Sequence, residues 1–159
     1  MKKNISYIIA SFFGAGYSPK ASGTVGSLAT LPVAFVVAYF FGFVGILTAA
    51  ALSFVFGTLA SREVLKYTEH DPSLIVIDEV CGQLLAFLFV AQILQGACNV
   101  KAFVLYAVGF ALFRLFDITK PSIIGWADKK LENAYGVMLD DVFAGLFAAV
   151  LLLIVSCVI

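Results

Sequence analysis

Charged side chains are scarce in this chain of 159 residues, where they make up only 13%. Ten lysines and arginines balance ten aspartates and glutamates, so the net charge is zero and no basic surface is available for nucleic acid. Histidine occurs once, and the three cysteines, Cys81, Cys98 and Cys157, follow no metal-binding spacing. These shortages exclude nucleic-acid binding, a disulfide framework and a zinc site.

Hydrophobic residues, by contrast, make up 62% of the chain, and its mean hydropathy is +1.05. Ordinary globular proteins are about half apolar, so an unusually apolar soluble helical protein is the weaker alternative. The sequence predicts a single all-α integral membrane domain over residues 1–159. No cleavable signal is evident after Lys2 and Lys3, so we expect the N-terminus to be retained.

Three apolar runs separate the polar segments, at residues 28–60, 82–113 and 142–159. A membrane-spanning helix needs about 20 residues. Polar residues within 95–101 interrupt the second run, so we predict two helices there, while the third run predicts one crossing. The first run fits either one long span or a hairpin that turns near residues 41–45.

The hairpin is favoured because it places every acid and base except Lys101 on one face of the membrane. An excess of lysine and arginine marks that face as cytoplasmic. We therefore predict a polytopic bundle of about five short membrane helices with its polar loops on one side. Residues 5–13 are expected to form an interfacial or dipping segment.

The first polar segment, residues 14–28, combines glycines and hydroxyls with one cation, Lys20. Loops of this kind turn backbone N–H groups inward and bind anions. We expect a helix to begin after residues 24–27, and its N-terminus would add positive potential. A flexible loop that ends in a serine cap is the alternative.

Two acid pairs, Asp78–Glu79 and Asp140–Asp141, stand at the entrances of apolar runs, with Gly82 and Gly145 one turn further on. Helix capping would explain one acid of a pair but not both. Small residues let helices approach closely, so the two entrances could meet beside Asp117. Several anions cannot share a low-dielectric site unless a cation neutralises them. Mg²⁺ prefers carboxylate and water oxygens, so we expect it to bind there.

Arg114, Asp117 and Lys120 fall on one stripe of a helix that ends before Pro121. This stripe could bind phosphate through its two cations and metal through its acid, or it could be a self-satisfied ion pair. Glu63 and Lys66 are more simply explained as partners of each other.

Four ordered motifs then resemble the bacterial phosphatidylglycerophosphatase A family, at residues 14–28, 71–82, 113–121 and 136–145. The third, for example, has the form F-R-x-x-D-x-x-K-P and begins at Phe113. The chain departs from the family at Ser22 and Ile123, where proline is usual, and at Asn133 and Ala134, where a glycine pair is usual. These departures touch loop shape and bear on substrate preference.

The resemblance implies a magnesium-dependent phosphatase of the bacterial inner membrane whose active site faces the cytoplasm. Its substrate would be a phospholipid, phosphatidylglycerophosphate, hydrolysed at the terminal phosphomonoester. Our hypothesis gives metal and catalytic roles to five acids, with Asp117 as a further ligand or as the base: Asp78, Glu79, Asp117, Asp140 and Asp141. Phosphate would be held by Lys20, Ser22, Thr24, Ser27, Arg114 and Lys120. Attack by water and an aspartyl-phosphate route both stay open.

Other chemistries leave no trace in the sequence. No cysteine is followed six residues later by arginine, His70 has no second histidine to work with, and the Asp-x-Asp nucleophile motif is missing. A small ion or metal transporter using the same carboxylates is the alternative function, although transport sites usually lie near the midplane. A non-catalytic membrane subunit is the second alternative. The exact lipid, the number of metal ions and the oligomeric state stay open.

Overall fold

The computed structural model describes residues 3–67, 73–120 and 134–159, and every regular element in them is a helix. The α-helices are α1 (Lys3–Ala10), α2 (Ser22–Val64), α3 (Ile77–Ala86), α4 (Ala91–Leu94), α5 (Val100–Thr119) and α6 (Ala134–Val158). Short 3₁₀ turns occupy Ala15–Tyr17 and Leu88–Val90. The fold is therefore all-α in these residues, as predicted.

Helix α2 turns back on itself at Gly42, which lies in the predicted turn and has φ 53° and ψ −138°. A straight helix of 43 residues would be roughly 65 Å long. Instead, a side chain on Gly26 would contact Val76, and one on Gly57 would contact the next residue, Ile77. The two halves of α2 therefore run side by side.

The turn at Gly42 defines the far end of the molecule. A Cβ on Gly42 would lie 2.7 Å from the amide oxygens of Gln92 and Gln95, and the Gly96 N–H donates to the Tyr39 carbonyl at 3.0 Å. Residues 95–99 break the second apolar run, as predicted. Asn99 then caps α5 by accepting a hydrogen bond from the Ala102 N–H at 2.9 Å.

Among the described residues, three helices, α2, α5 and α6, are long and apolar enough to cross a membrane, and a fourth span results if the bent pair 77–86 and 88–94 counts as one. Small residues such as Ala34 and Ala38 are fully buried, whereas Phe40 and Val44 are 64% and 70% exposed. Large apolar side chains directed outward are costly in water and suit a lipid environment. These apolar helices indicate membrane association.

The N-terminal segment packs beside the entry to α3. The Val76 N–H donates to the Ala10 carbonyl at 2.9 Å, and Gly16 lies directly against the Leu74 backbone. Between them, Phe12 and Phe13 adopt left-handed φ values of 44° and 56°. This turn fixes where α1 ends and directs the chain towards α2. The interfacial location expected for residues 5–13 stays a prediction.

Candidate metal and phosphate site

Three carboxylates from two helices meet at the end of the molecule opposite Gly42. Asp78 and Glu79 lie in the first turn of α3, and Asp141 lies on α6. One oxygen of each lies within 4.8 Å of the others. Asp78 and Asp141 are buried, with 8% and 3% of their surface exposed. We call Asp78, Glu79 and Asp141 the acidic cluster.

A close crossing of α3 and α6 brings the cluster together. The Cβ that Gly145 lacks would overlap the Gly82 carbonyl oxygen, and one on Gly82 would lie 2.5 Å from the Asp141 carbonyl oxygen. The two backbones therefore touch at positions where any side chain would hold them apart. The close approach of α3 and α6 predicted at these two glycines is therefore confirmed.

Asp140 and Asp141 do not stand at a helix entrance, which corrects one expectation. Helix α6 already includes Ala134, so the pair lies in its second turn. The helix runs through Gly136 and continues past the acid pair to Val158. The Asp141 N–H donates to the Asp140 carboxylate at 3.0 Å, as the Glu79 N–H does to Asp78.

Two ion pairs flank the acidic cluster. Arg114 pairs with Asp117 on the last turns of α5, and Lys120 Nζ lies 2.8 Å from the Asp140 carboxylate. Lys120 ends α5 in a left-handed conformation, with φ 41°. Asp117 also lies near enough to Glu79 and Asp141 to interact with both. The five predicted acids thus form one contiguous group.

Arg114 connects this group to the start of α2. Its Nη1 donates to the Ser27 hydroxyl at 3.4 Å, and Ser27 in turn donates to the Gly23 carbonyl at 2.9 Å. A Cβ on Gly23 would collide with the Glu79 carboxylate and lie 3.3 Å from Arg114. Gly23 is therefore a contact point of the site, which motif spacing alone did not reveal.

The predicted anion loop is largely helical, which corrects a second expectation. Helix α2 begins at Ser22, ahead of residues 24–27, after which the helix was expected to begin, and the Val25 N–H already donates to the Ala21 carbonyl. Only the first N–H groups of a helix lack an intrahelical acceptor. The donors available to an anion are therefore those of residues 22–24, and those of Gly26 and Ser27 are not.

The predicted phosphate-binding residues separate into two sets. Ser27, Arg114 and Lys120 touch the acidic group or its partners, as described. Lys20 is exposed, and within the described residues its side chain makes no hydrogen bond or ion pair. Ser22 and Thr24 are half-buried at the start of α2 and are likewise without side-chain bonds in the described ranges. His70 lies outside the described residues.

The donor set suits a hard divalent cation. Arg114 and Lys120 are engaged by Asp117 and Asp140, so within the described ranges the acidic cluster has no ion pair of its own. Glu79 Oε2 is buried there without a hydrogen-bond partner. Three such carboxylates repel one another strongly in a low-dielectric site unless a cation or protons neutralise them. Away from this site, Lys66 Nζ lies 2.6 Å from the Glu63 carboxylate, which is the ion pair predicted from their spacing.

The described part of the chain is all-helical, and several of its helices are apolar and long enough to cross a membrane. Its buried acids lie beside arginine and lysine. These features define a membrane-associated protein whose acidic cluster could bind a metal ion. Comparison with known proteins makes the assignment narrower. The family model for phosphatidylglycerophosphatase A matches residues 8–156, and the chain belongs to that family.

Three related proteins align with nearly the whole chain. A Haemophilus influenzae phosphatidylglycerophosphatase A is 36% identical over 92% of this chain and 86% of its own length. The Escherichia coli phosphatidylglycerophosphatase A is 30% identical over 90% and 78%, respectively. A Bacteroides thetaiotaomicron protein provisionally named as a phosphatidylinositol-3-phosphatase is 34% identical over 96% and 94%. No solved structure matches the chain.

Proposed function

We propose that this protein hydrolyses the terminal phosphomonoester of phosphatidylglycerophosphate, giving phosphatidylglycerol and phosphate. One observation carries the proposal: the acidic cluster lies beside Arg114 and Lys120 at one end of the apolar helices. Family membership and the names of two relatives support the same reaction. A phosphate ester on a lipid would reach this end of the molecule from the membrane surface.

Asp78, Glu79 and Asp141 would hold Mg²⁺, with Asp117 and Asp140 at its edge. Bound there, the ion would neutralise phosphoryl charge and favour attack by water. The role of the chain is to fix the carboxylates before the substrate arrives, through the α3–α6 crossing. Asp117, which lies near Glu79 and Asp141, would accept a proton.

Arg114 and Lys120 would bind the phosphoryl oxygens. The planar guanidinium of arginine presents two parallel N–H donors to an oxyanion, and lysine supplies a compact charge. Both cations are paired with carboxylates in this structure. The N–H groups of residues 22–24, at the positive end of α2, would add donors on the same side. Lys20 would reach the phosphate only by moving its exposed side chain.

The position of the acids does not support a transport function. The acids lie in the first turn of α3 and the second turn of α6, at one end of the helices. Transport sites usually lie midway along broken helices.

The decisive test is phosphate release by the purified protein in detergent. We expect release from phosphatidylglycerophosphate with Mg²⁺ and loss of release with EDTA. Phosphatidylinositol 3-phosphate and glycerol 3-phosphate serve as comparison substrates, and we expect slower turnover of both. Magnesium-independent activity, or faster release from the inositol lipid, would contradict the proposed reaction.

We further propose five membrane crossings in the bacterial inner membrane, with the acidic cluster facing the cytoplasm. Counting each half of α2 separately adds one crossing to the four candidate spans. Lys101 Nζ donates to the Ser156 carbonyl at 3.2 Å, so the start of α5 and the end of α6 share the far end. The bias of lysine and arginine towards the cluster end supports its cytoplasmic location.

The native cysteines allow this orientation to be measured. Cys98 and Cys157 are exposed at the far end, and Cys81 is buried. We expect a membrane-impermeant maleimide to label Cys98 from the periplasmic side. In a chain with Cys98→Ser and Cys157→Ser, a Tyr17→Cys variant should be labelled only from the cytoplasmic side. Labelling of both positions from one side would mean either that α2 crosses once or that the bent pair 77–94 does not cross, and either result would overturn five crossings.

A further inference from the structure

Gln83 is a polar side chain buried completely on α3, with 0% of its surface exposed. Neither its amide oxygen nor its amide nitrogen has a hydrogen-bond partner in residues 3–67, 73–120 and 134–159. Burial of an amide without hydrogen bonds destabilises a fold, because the lost contacts with water are not replaced. A methionine or leucine would be buried here without that penalty, so the amide needs a polar partner other than the described residues.

The geometry of α3 directs this amide towards the acidic cluster. Gln83 follows Glu79 by four residues, so both side chains leave the helix on the same face. Side chains on a helix lean towards its N-terminus, which brings the Gln83 amide back towards the Glu79 carboxylate. Glu79 Oε2 and Arg114 Nε are also buried without partners in the described residues.

We propose that Gln83 is a positioning residue, which holds the Glu79 carboxylate in place through a buried water molecule. Such a water needs two to four polar partners. The Gln83 amide and Glu79 Oε2 supply them on one helical face. The inference rests on the proposed metal site, because its purpose is to orient Glu79 towards a divalent cation. Groups that orient metal ligands typically contribute about 10–100-fold to metal affinity.

The test is Mn²⁺ binding by the purified protein in detergent, measured by electron paramagnetic resonance without any substrate. Gln83→Met keeps the length of the side chain and removes its hydrogen bonds. We expect it to weaken Mn²⁺ binding about tenfold, with the KM for the lipid unchanged and kcat restored at saturating metal. Gln92→Met, on the exposed side of α4, is the matched control and should bind Mn²⁺ as the parent protein does.

Stability separates this role from simple packing. Without metal, Gln83→Met should unfold at the same temperature as the parent protein or above it, because replacing an unpartnered amide by an apolar group is neutral or stabilising. If Gln83→Met fails to fold, Gln83→Leu serves instead. Unchanged Mn²⁺ affinity in a folded variant would overturn the positioning role alone. Failure of the parent protein to bind Mn²⁺ would overturn the metal site itself, and the role of Gln83 with it.

Discussion

Asp141→Asn should lower phosphate release by about 10²-fold or more, since loss of a charged ligand to the proposed metal ion would remove several kcal/mol of transition-state stabilisation. Asp141 is the residue through which α6 joins α3 in the acidic cluster. The amide keeps the shape of the side chain but not its negative charge, which a hard cation requires. The measurement is the rate of phosphate release from phosphatidylglycerophosphate as a function of Mg²⁺ concentration.

The same variant should be more stable than the parent protein when metal is absent. Removing one of three crowded buried anions relieves their repulsion, so thermal unfolding in EDTA should occur at a higher temperature. Added Mg²⁺ should stabilise the parent protein by mass action and the variant much less. Glu63→Gln is the matched control, because Glu63 pairs with Lys66. Turnover by Asp141→Asn at the parent rate with the parent magnesium dependence would remove Asp141 from the site.

Gly145→Ala should reduce activity by about 10²-fold through geometry alone, since a displacement of about 1 Å has an effect of that size. The added methyl group would overlap the Gly82 carbonyl oxygen, which is backbone and cannot rotate away. Helices α3 and α6 must therefore separate, which moves Asp141 away from Asp78. Overpacking of this kind also costs about 1–3 kcal/mol in stability.

Ala111→Val provides the control for Gly145→Ala. Ala111 is exposed on α5, so extra methyl groups there meet no backbone. We expect parent activity and parent thermal stability from Ala111→Val. The comparison uses phosphate release at saturating Mg²⁺, with unfolding temperature measured in the same detergent. Full activity of Gly145→Ala would show that the contact of the two glycines does not set the spacing of the carboxylates.

The sequence made the acids recognisable because charge is rare in an apolar chain. Two acid pairs, each followed by a glycine, predicted that α3 and α6 approach each other closely, and the structure has Gly82 against Gly145. The turn at Gly42 was also predictable, since a hairpin was the arrangement that kept the acids at one end. Membrane patterning thus determines most of the architecture.

The start of α2 was harder to predict because glycine and serine occur both in loops and in the first turn of helices. The chain begins its helix at Ser22, a position where proline is usual in the family and where proline is favoured as a first helical residue. The contact of Gly23 with Glu79 depends on how α2 and α3 pack, which no local pattern encodes.

Lys20 and Gln83 show the limits of reasoning from residue type. A lone cation in a glycine-rich segment suggested phosphate binding, yet its side chain is exposed. Gln83 lies inside an apolar run where the sequence pattern assigns it no role, yet it is fully buried one turn beyond Glu79. Exposure and depth follow from packing between distant segments, so a single sequence does not specify them.

The two ion pairs have a consequence for the order of loading. Within the described residues, the five carboxylates lie beside two cations, Arg114 and Lys120, so these groups together carry an excess of negative charge before any metal ion binds. A dianionic lipid headgroup approaching it would be repelled, and the repulsion would be greatest at low ionic strength. A metal ion at the proposed site would therefore have to arrive before the substrate or together with it, because the acids alone would repel the phosphate group of the lipid.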